Sequence, residues 1–281
     1  MAAYYNEIDP FAAQWLRNLI DAGLIAPGVV DERSITDVTA ADLNGFTQCH
    51  FFAGIGGWSL ALRQASVPDS YACWTGSPPC QPFSVAGKQL AQLDDRHLAP
   101  AFIRLVVQCR PAKIFGEQVS AAINKGWLDD LFTELETEGY ACAAAVLPAC
   151  GIGAPHKRDR LIFGAVGNAH HTGLQGRDNG SHQLAGKERW KVTQRPAGLS
   201  GFWSATEEVE CWDGKTRHIE SGTFPLVNGI PRHMGRGKSS LGAMAGRNRT
   251  GRLKGYGNAI VPELAAEFIT AFLTVTDETS S

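Results

Sequence analysis

Thr47-Gln-Cys-His-Phe-Phe-Ala-Gly-Ile-Gly-Gly-Trp-Ser-Leu-Ala-Leu-Arg-Gln-Ala65 decides how this chain is read. Residues 47–53 read as a strand, the turn Gly54-Ile-Gly-Gly57 stops it, and residues 58–65 read as a helix. Strand, glycine turn and helix make the first unit of a doubly wound α/β sheet. Glycines in such a turn let the backbone approach a ligand closely. Taken alone, the turn fits any nucleotide pocket, or only a tight bend.

Working outward, the same alternation continues. Tyr71–Thr75, Lys113–Phe115, 140–147 and Arg160–Val166 read as strands, and 98–109 and 126–138 as helices. Strands alternating with helices predict a largely parallel sheet. Upstream, Tyr4-Tyr-Asn-Glu-Ile-Asp9 reads as a strand tip bearing an acid, followed by a helix over 10–22 that Pro10 opens and Gly23 ends. Arg33–Val38 reads as the tip of a third strand. The glycine-turn strand is therefore preceded by two strands that belong beside it. Such a permutation is physically tolerable, because domain termini usually lie near one another on the surface. The pattern breaks after Gly167, and a helix returns over 260–274, started near Pro262. The expected organisation is a catalytic α/β domain over 1–167, a small lobe of short strands and loops over 168–255, and a C-terminal segment, 256–281, returning to the first domain.

Charge separates the same regions. Residues 1–150 carry 9 Lys/Arg and 16 Asp/Glu, residues 151–258 carry 17 and 8, and residues 259–281 carry 0 and 4. The basic middle region suits a polyanionic partner. A solvated basic lobe without a partner is the plainer alternative. No run of about 18 apolar residues exists and the first residues lack a signal-peptide pattern, so a cytoplasmic protein is expected. The seven cysteines, at 49, 73, 80, 109, 142, 150 and 211, are odd in number and contain no Cys-x-x-Cys pair. That argues against a disulfide framework and against a structural metal site.

Three further motifs carry chemistry. In Ser77-Pro-Pro-Cys-Gln-Pro82, two prolines hold Cys80 at the carboxyl end of a strand, where ligands bind in such sheets. A thiol held there can act as a thiolate nucleophile, whereas a lone cysteine is more simply a small buried hydrophobe. Glu117 follows another strand toward the same edge. Arg158 and Arg160 stand two apart before a strand, so alternation aims both at one face. Surface acids and salt-bridged arginines are the ordinary explanations of the last two.

Together these residues resemble the DNA (cytosine-5) methyltransferases of bacterial and phage type. The resemblance lies in Phe52-Ala-Gly-Ile-Gly-Gly57, Pro79-Cys-Gln81, Glu117-Gln-Val119, His156-Lys-Arg-Asp-Arg160 and Gly257-Asn-Ala-Ile-Val-Pro262. It covers about 200 of the 281 residues. It implies a Rossmann-like methyltransferase sheet, S-adenosyl-L-methionine as cofactor, double-stranded DNA as partner, monomeric action, and no metal or membrane. It leaves open the recognised site and any cognate restriction enzyme.

Residue by residue, the resemblance assigns Cys80 as nucleophile, Glu117 to cytosine N3 and Arg160 to O2, with Arg158 beside them. The cofactor would meet Phe52, Ala53, Gly54, Ile55, Gly56 and Gly57, with Glu7 on the ribose and Ile8, Ser34 and Ile35 at the adenine. Pro79, Asn258 and Ala259 would complete that site, Asn258 supporting the nucleophile loop. Gln81, Ser84, Lys88 and Arg96 are the DNA-contact candidates. They lie in or beside a polar loop that would close over a flipped base. The tryptophans and basic residues of 168–255, among them Trp190, Trp203, Trp212, Arg189, Arg195, Lys215 and Arg217, suit target recognition or a small-lobe core. Four positions depart from the family: His50 for an acid, Ser34 for an aspartate that Asp31, Glu32 or Asp37 would replace, Gln118 for asparagine, and His156 for glutamine. Three rival readings stay open: an amino-methyltransferase sharing Ser77-Pro-Pro79, a tRNA cytosine-5 methyltransferase, and an inactive DNA-binding relic.

Overall fold

The computed structural model describes residues 2–78, 98–154, 157–167, 206–210, 216–220, 254–255 and 257–278. Seven strands form one sheet: β1 (Ala3–Asn6), β2 (Gly28–Asp31), β3 (Gln48–Phe51), β4 (Cys73–Gly76), β5 (Lys113–Val119), β6 (Ala141–Pro148) and β7 (Asp159–Val166). Their order across the sheet is β2-β1-β3-β4-β5-β7-β6. The first five are parallel, and β7 runs antiparallel between β5 and β6. The doubly wound sheet expected from the alternation is present. The first two strands of the chain lie outside β3 on one edge, and β4 lies on its other side.

The described helices are α1 (Pro10–Asp21), α2 (Gly57–Gln64), α3 (Ala99–Cys109), α4 (Trp127–Thr137) and α5 (Pro262–Glu278). None is long and apolar enough to cross a membrane. Successive strand residues feed opposite faces, as the pleat requires. Tyr4, Phe51, Trp74, Ile114 and Phe163 pack with Phe102 and Leu105 of α3 and Leu131 and Leu135 of α4. On the opposite face, Cys73, Phe115 and Ile162 pack with Trp58 and Leu62 of α2 and Ile269 and Phe272 of α5. Tyr5 packs there too, with Leu16 of α1 and Ile25. α1 starts where expected, because Asp9 Oδ1 accepts the N–H groups of Phe11 and Ala12 and Pro10 occupies the first turn.

Two sequence expectations shift. The strand beside β1 is Gly28–Asp31, and Arg33–Val38 is instead a bend leading into a short 3-10 turn, Ile35–Asp37. Four residues opened by a glycine give too short a pattern to read as a strand; the pairing with β1 makes it one. β5 also runs to Val119, so Glu117 lies within the strand, fixed by its pairing with β7. Within 168–255 the described strands are β8 (Thr206–Glu210) and β9 (Thr216–Glu220), which pair antiparallel.

His50, read as a departure at the cofactor site, lies on the sheet's buried α1 side instead. Its register partners are Tyr5 on β1 and Thr75 on β4. Its ring stacks on Tyr5 at 4.9 Å, Nδ1 lies 2.8 Å from Thr75 Oγ1, and Nε2 lies 3.3 Å from Gln48 Oε1. Tyr5 Oη in turn donates to the Ala26 carbonyl at 2.6 Å and lies 3.0 Å from Ser59 Oγ, tying β1 to α2. Burial pushes the imidazole down to about 3, so the folded state holds it neutral.

An unfolded histidine takes up its proton near pH 6.5, whereas the folded one resists until near 3; stability is therefore lost as pH falls through this window. Between pH 7.5 and pH 5, chemical denaturation of the wild type should lose about 2 kcal/mol more than that of His50→Gln. Equal losses in the two proteins would refute the buried neutral histidine.

Candidate active site

A cleft of about 790 Å³ opens at the carboxyl ends of β1, β3, β4 and β5. That is where a doubly wound sheet binds ligands. Of the cofactor residues expected from sequence, Glu7, Ile8, Ser34, Ile35, Phe52, Ala53, Gly54, Ile55, Gly57, Asn258 and Ala259 line it. So do Glu117 and Arg160. Gly56 and Arg158 are not on its surface. One cavity thus brings together described residues from both sets.

The wall expected to meet the cofactor is built on the glycine turn. Gly54 and Gly56 have φ of +55° and +83°, which glycine adopts without strain. Phe52 takes φ +53° with a full side chain, a strained conformation of the kind that collects at functional sites. Glu7 locks this turn to β1. Its Oε2 accepts the Gly54 N–H and its Oε1 the Asp9 N–H, each at 2.8 Å. Burial pushes the Glu7 carboxyl above the usual range, and the two amide bonds only partly pull it back. Asp9, already the cap of α1, also accepts from Lys254 Nζ at 2.5 Å, which holds its carboxyl low. Gly57 has no side chain because Ile260 fills its place: a Cβ there would lie 2.8 Å from Ile260 Cγ1. The 257–260 segment is thereby seated against the start of α2.

At the other end, Asn6 Nδ2 donates to the Arg33 carbonyl at 2.8 Å and fixes the bend that presents Ser34. Arg104 Nη2 on α3 reaches the carbonyls of Ile35, Thr36 and Val38, at 3.4, 3.3 and 2.9 Å, and pins the turn carrying Ile35. None of the three acids considered as substitutes at Ser34 lines the cleft. Asp31 is bound by Tyr4 Oη and Arg33, Glu32 by Arg17, and Asp37 is exposed. Ser34 itself supplies the side-chain oxygen at that corner.

The other wall is the antiparallel pair β5–β7. Glu117 lies opposite Ile162 and Val119 opposite Arg160, so Glu117 and Arg160 are diagonal neighbours on one face. Arg160 Nε meets Glu117 Oε1 at 2.6 Å, and both side chains are largely buried. Burial raises the Glu117 carboxyl above its usual range, against the opposing pull of Arg160 and Arg158. Arg158 does not follow the alternation expected for it. It precedes the first residue of β7 with φ +33°, and its Nη2 donates to the carbonyls of Ala259 at 2.7 Å and Gly257 at 3.2 Å.

Pro79, Cys80, Gln81, Ser84, Lys88, Arg96 and His156 lie outside the described residues. The chain leading to Cys80 is described as far as Pro78, and it is held from both sides. Trp58 Nε1 donates to Ser77 Oγ at 3.0 Å, and Gln118 Nε2 donates to the Pro78 carbonyl at 2.9 Å. Gln118 also accepts the Val119 N–H at 2.9 Å, so the residue read as a departure from asparagine has both ends of its amide engaged. Trp58, Asp9, Arg104 and Lys254 were not singled out from sequence. Asp9 carried a signal, as a cap residue ahead of a proline; the partners of the others are tens to hundreds of residues away in the chain.

Residues 66–195 match the family model described as C-5 cytosine-specific DNA methylase. The chain is 35% identical over 154 residues to the type II methyltransferase M.AplI of Arthrospira platensis, covering 42% of this chain and 45% of that protein. It is 31% identical over 114 residues to the type II methyltransferase M.NgoMIV of Neisseria gonorrhoeae, covering 40% of this chain and 36% of that one. The matched stretches thus span less than half the length of these relatives. A solved Dnmt2 methyltransferase of S. pombe aligns with 76% of this chain and 63% of its own, at 16% identity and a TM-score of 0.43. Over residues 66–195 the chain is thus similar to the C-5 cytosine-specific DNA methylases, and over partly overlapping stretches to type II methyltransferases.

Proposed function

We propose that this protein methylates C5 of cytosine in double-stranded DNA, using S-adenosylmethionine and Cys80 as nucleophile. The observation that carries the proposal is the shared cleft, in which Glu7 and the glycine turn face the same space as the Glu117–Arg160 pair. Its volume suits a ligand of nucleoside size. Glu7 uses two of its roughly four acceptor positions on backbone amides, which leaves others for ribose hydroxyls. Phe52 and Ile8 supply apolar surface for a flat base, and Ile8 is 64% exposed before anything binds. We also read the sheet order as the family's sheet with its second and third strands moved ahead of the first.

The bound cofactor supplies an electrophilic methyl group. The protein's part is to make C5 of cytosine nucleophilic. The Cys80 thiolate adds to C6, and electron density moves into the ring toward C5 and N3. Glu117, which burial biases toward its protonated form, donates to N3, and Arg160 donates to O2. After C5 has taken the methyl group, a base removes the C5 proton and the Cys80–C6 bond breaks, restoring the aromatic ring and the thiolate. The base must leave the helix to reach these groups. The Trp58–Ser77 and Gln118–Pro78 bonds hold the approach to Cys80 while it does so.

The test is to incubate the protein with S-adenosylmethionine and unmethylated bacterial DNA, digest to nucleosides, and weigh the product. 5-Methyldeoxycytidine is expected from the wild type and none from Cys80→Ser. N4-methyldeoxycytidine or N6-methyldeoxyadenosine would overturn the role given to Cys80.

A second prediction concerns pH. The charged Glu7 carboxylate accepts from ribose, and its raised pKa means it gains a proton at higher pH than an ordinary glutamate. Calorimetric affinity for S-adenosylmethionine should therefore fall on acidification, starting above the pH at which an ordinary glutamate takes up its proton. Glu7→Gln should bind about tenfold more weakly at pH 7.5 and respond less to pH. An unchanged pH response in Glu7→Gln would remove Glu7 from this role.

A further inference from the structure

Arg158 combines features that work against stability. Its backbone sits at φ +33°, a region an arginine side chain disfavours. Its Nε is buried with no hydrogen-bond acceptor among the described residues. Burial disfavours its charge and the like charge of Arg160 adds to this, against the pull of Glu117. Unfavourable features that persist together at one residue point from strain toward function. What the residue gains is specific: Nη2 bridges the carbonyls of Gly257 and Ala259, about a hundred positions away in the chain.

Those carbonyls belong to one wall of the cleft, where Gly257, Asn258 and Ala259 line the cavity. Ala259 N–H is bonded to the Gly255 carbonyl at 3.0 Å, and Ile260 occupies the space over Gly57. The Arg158 bonds link this wall to the residue just before β7, two positions ahead of Arg160 on the base side.

We propose that Arg158 is a positioning residue, not a catalytic one, holding the Gly257–Ala259 wall in its cofactor-binding position from the base-pocket side of the cleft. The proposal rests on the methyl-donor reading of the cleft. Arg158 does not line the cleft. It couples the two halves of the site, because the strand start that delivers Arg160 also anchors a surface against which the cofactor lies.

Arg158→Met keeps much of the aliphatic stem and removes every donor. Its affinity for S-adenosylmethionine by titration calorimetry should fall about tenfold or more, while its thermal midpoint stays level or rises. Arg158→Lys, which returns a donor on a stem of similar length, should recover part of the affinity. Should the methionine variant fail to fold, Arg158→Gln decides: it keeps a polar group in the buried position but stops two atoms short of the carbonyls, and it should lose affinity likewise. Wild-type affinity in Arg158→Met or Arg158→Gln would overturn the proposal. So would losses of affinity and thermal midpoint in step, unrelieved by lysine. A wild-type protein that does not bind S-adenosylmethionine would overturn the reading of the cleft, and the role of Arg158 with it.

Discussion

The Glu7 carboxylate accepts the Gly54 N–H across 47 residues of chain, and the cleft depends on that bond. β1 and β3 are parallel neighbours, so their carboxyl ends emerge side by side, but adjacency alone does not orient a glycine turn with wide conformational freedom. Glu7 supplies the orientation. The same carboxylate holds the Asp9 amide, and Asp9 caps α1 and takes Lys254. A strand end, a turn, a helix start and a distant lysine are thus aligned through two neighbouring acids. Burying the first of these carboxylates is unfavourable, as the upward push on its pKa records, and the backbone amides offset part of that penalty.

The opposite wall has a different logic. The parallel strands end in loops, but β5 and β7 are antiparallel, and their pairing places Glu117 and Arg160 on diagonal positions of one face. A pair carried by strands is held more rigidly than one carried by loops, which suits the base-edge contacts proposed for Glu117 and Arg160. In the structure each satisfies the other. Between the walls, the stem that leads toward Cys80, the proposed nucleophile, is clamped at Ser77 from α2 by Trp58 and at Pro78 from β5 by Gln118.

Beneath the cleft, β1, β3 and β4 are joined by a polar cluster, Tyr5, His50 and Thr75, together with backbone pairing. His50 illustrates a limit of motif comparison. One residue before the end of β3, it reads as a cofactor position, yet the pleat turns it to the buried α1 side and away from the cavity.

Local pattern was enough to give the alternating α/β architecture, the glycine turn after β3 and the capped start of α1. Each rests on short-range periodicity or on residue types with few alternative uses. The edge strand Gly28–Asp31 escaped, since four residues make a strand only through the neighbour they pair with. Arg158 was legible as a residue but not in its role: a left-handed backbone turned it out of the alternation that spacing predicted, toward carbonyls a hundred residues on. The same holds for Lys254 on Asp9, Arg104 on the Ile35 turn, and Gln118 beneath Pro78. The sequence by itself determined the order of strands and helices and which residue types are available at the strand ends. Only the tertiary structure decided which of them face the cleft and which hold its walls, because long-range hydrogen bonds join positions whose separation along the chain carries no record of their distance in space.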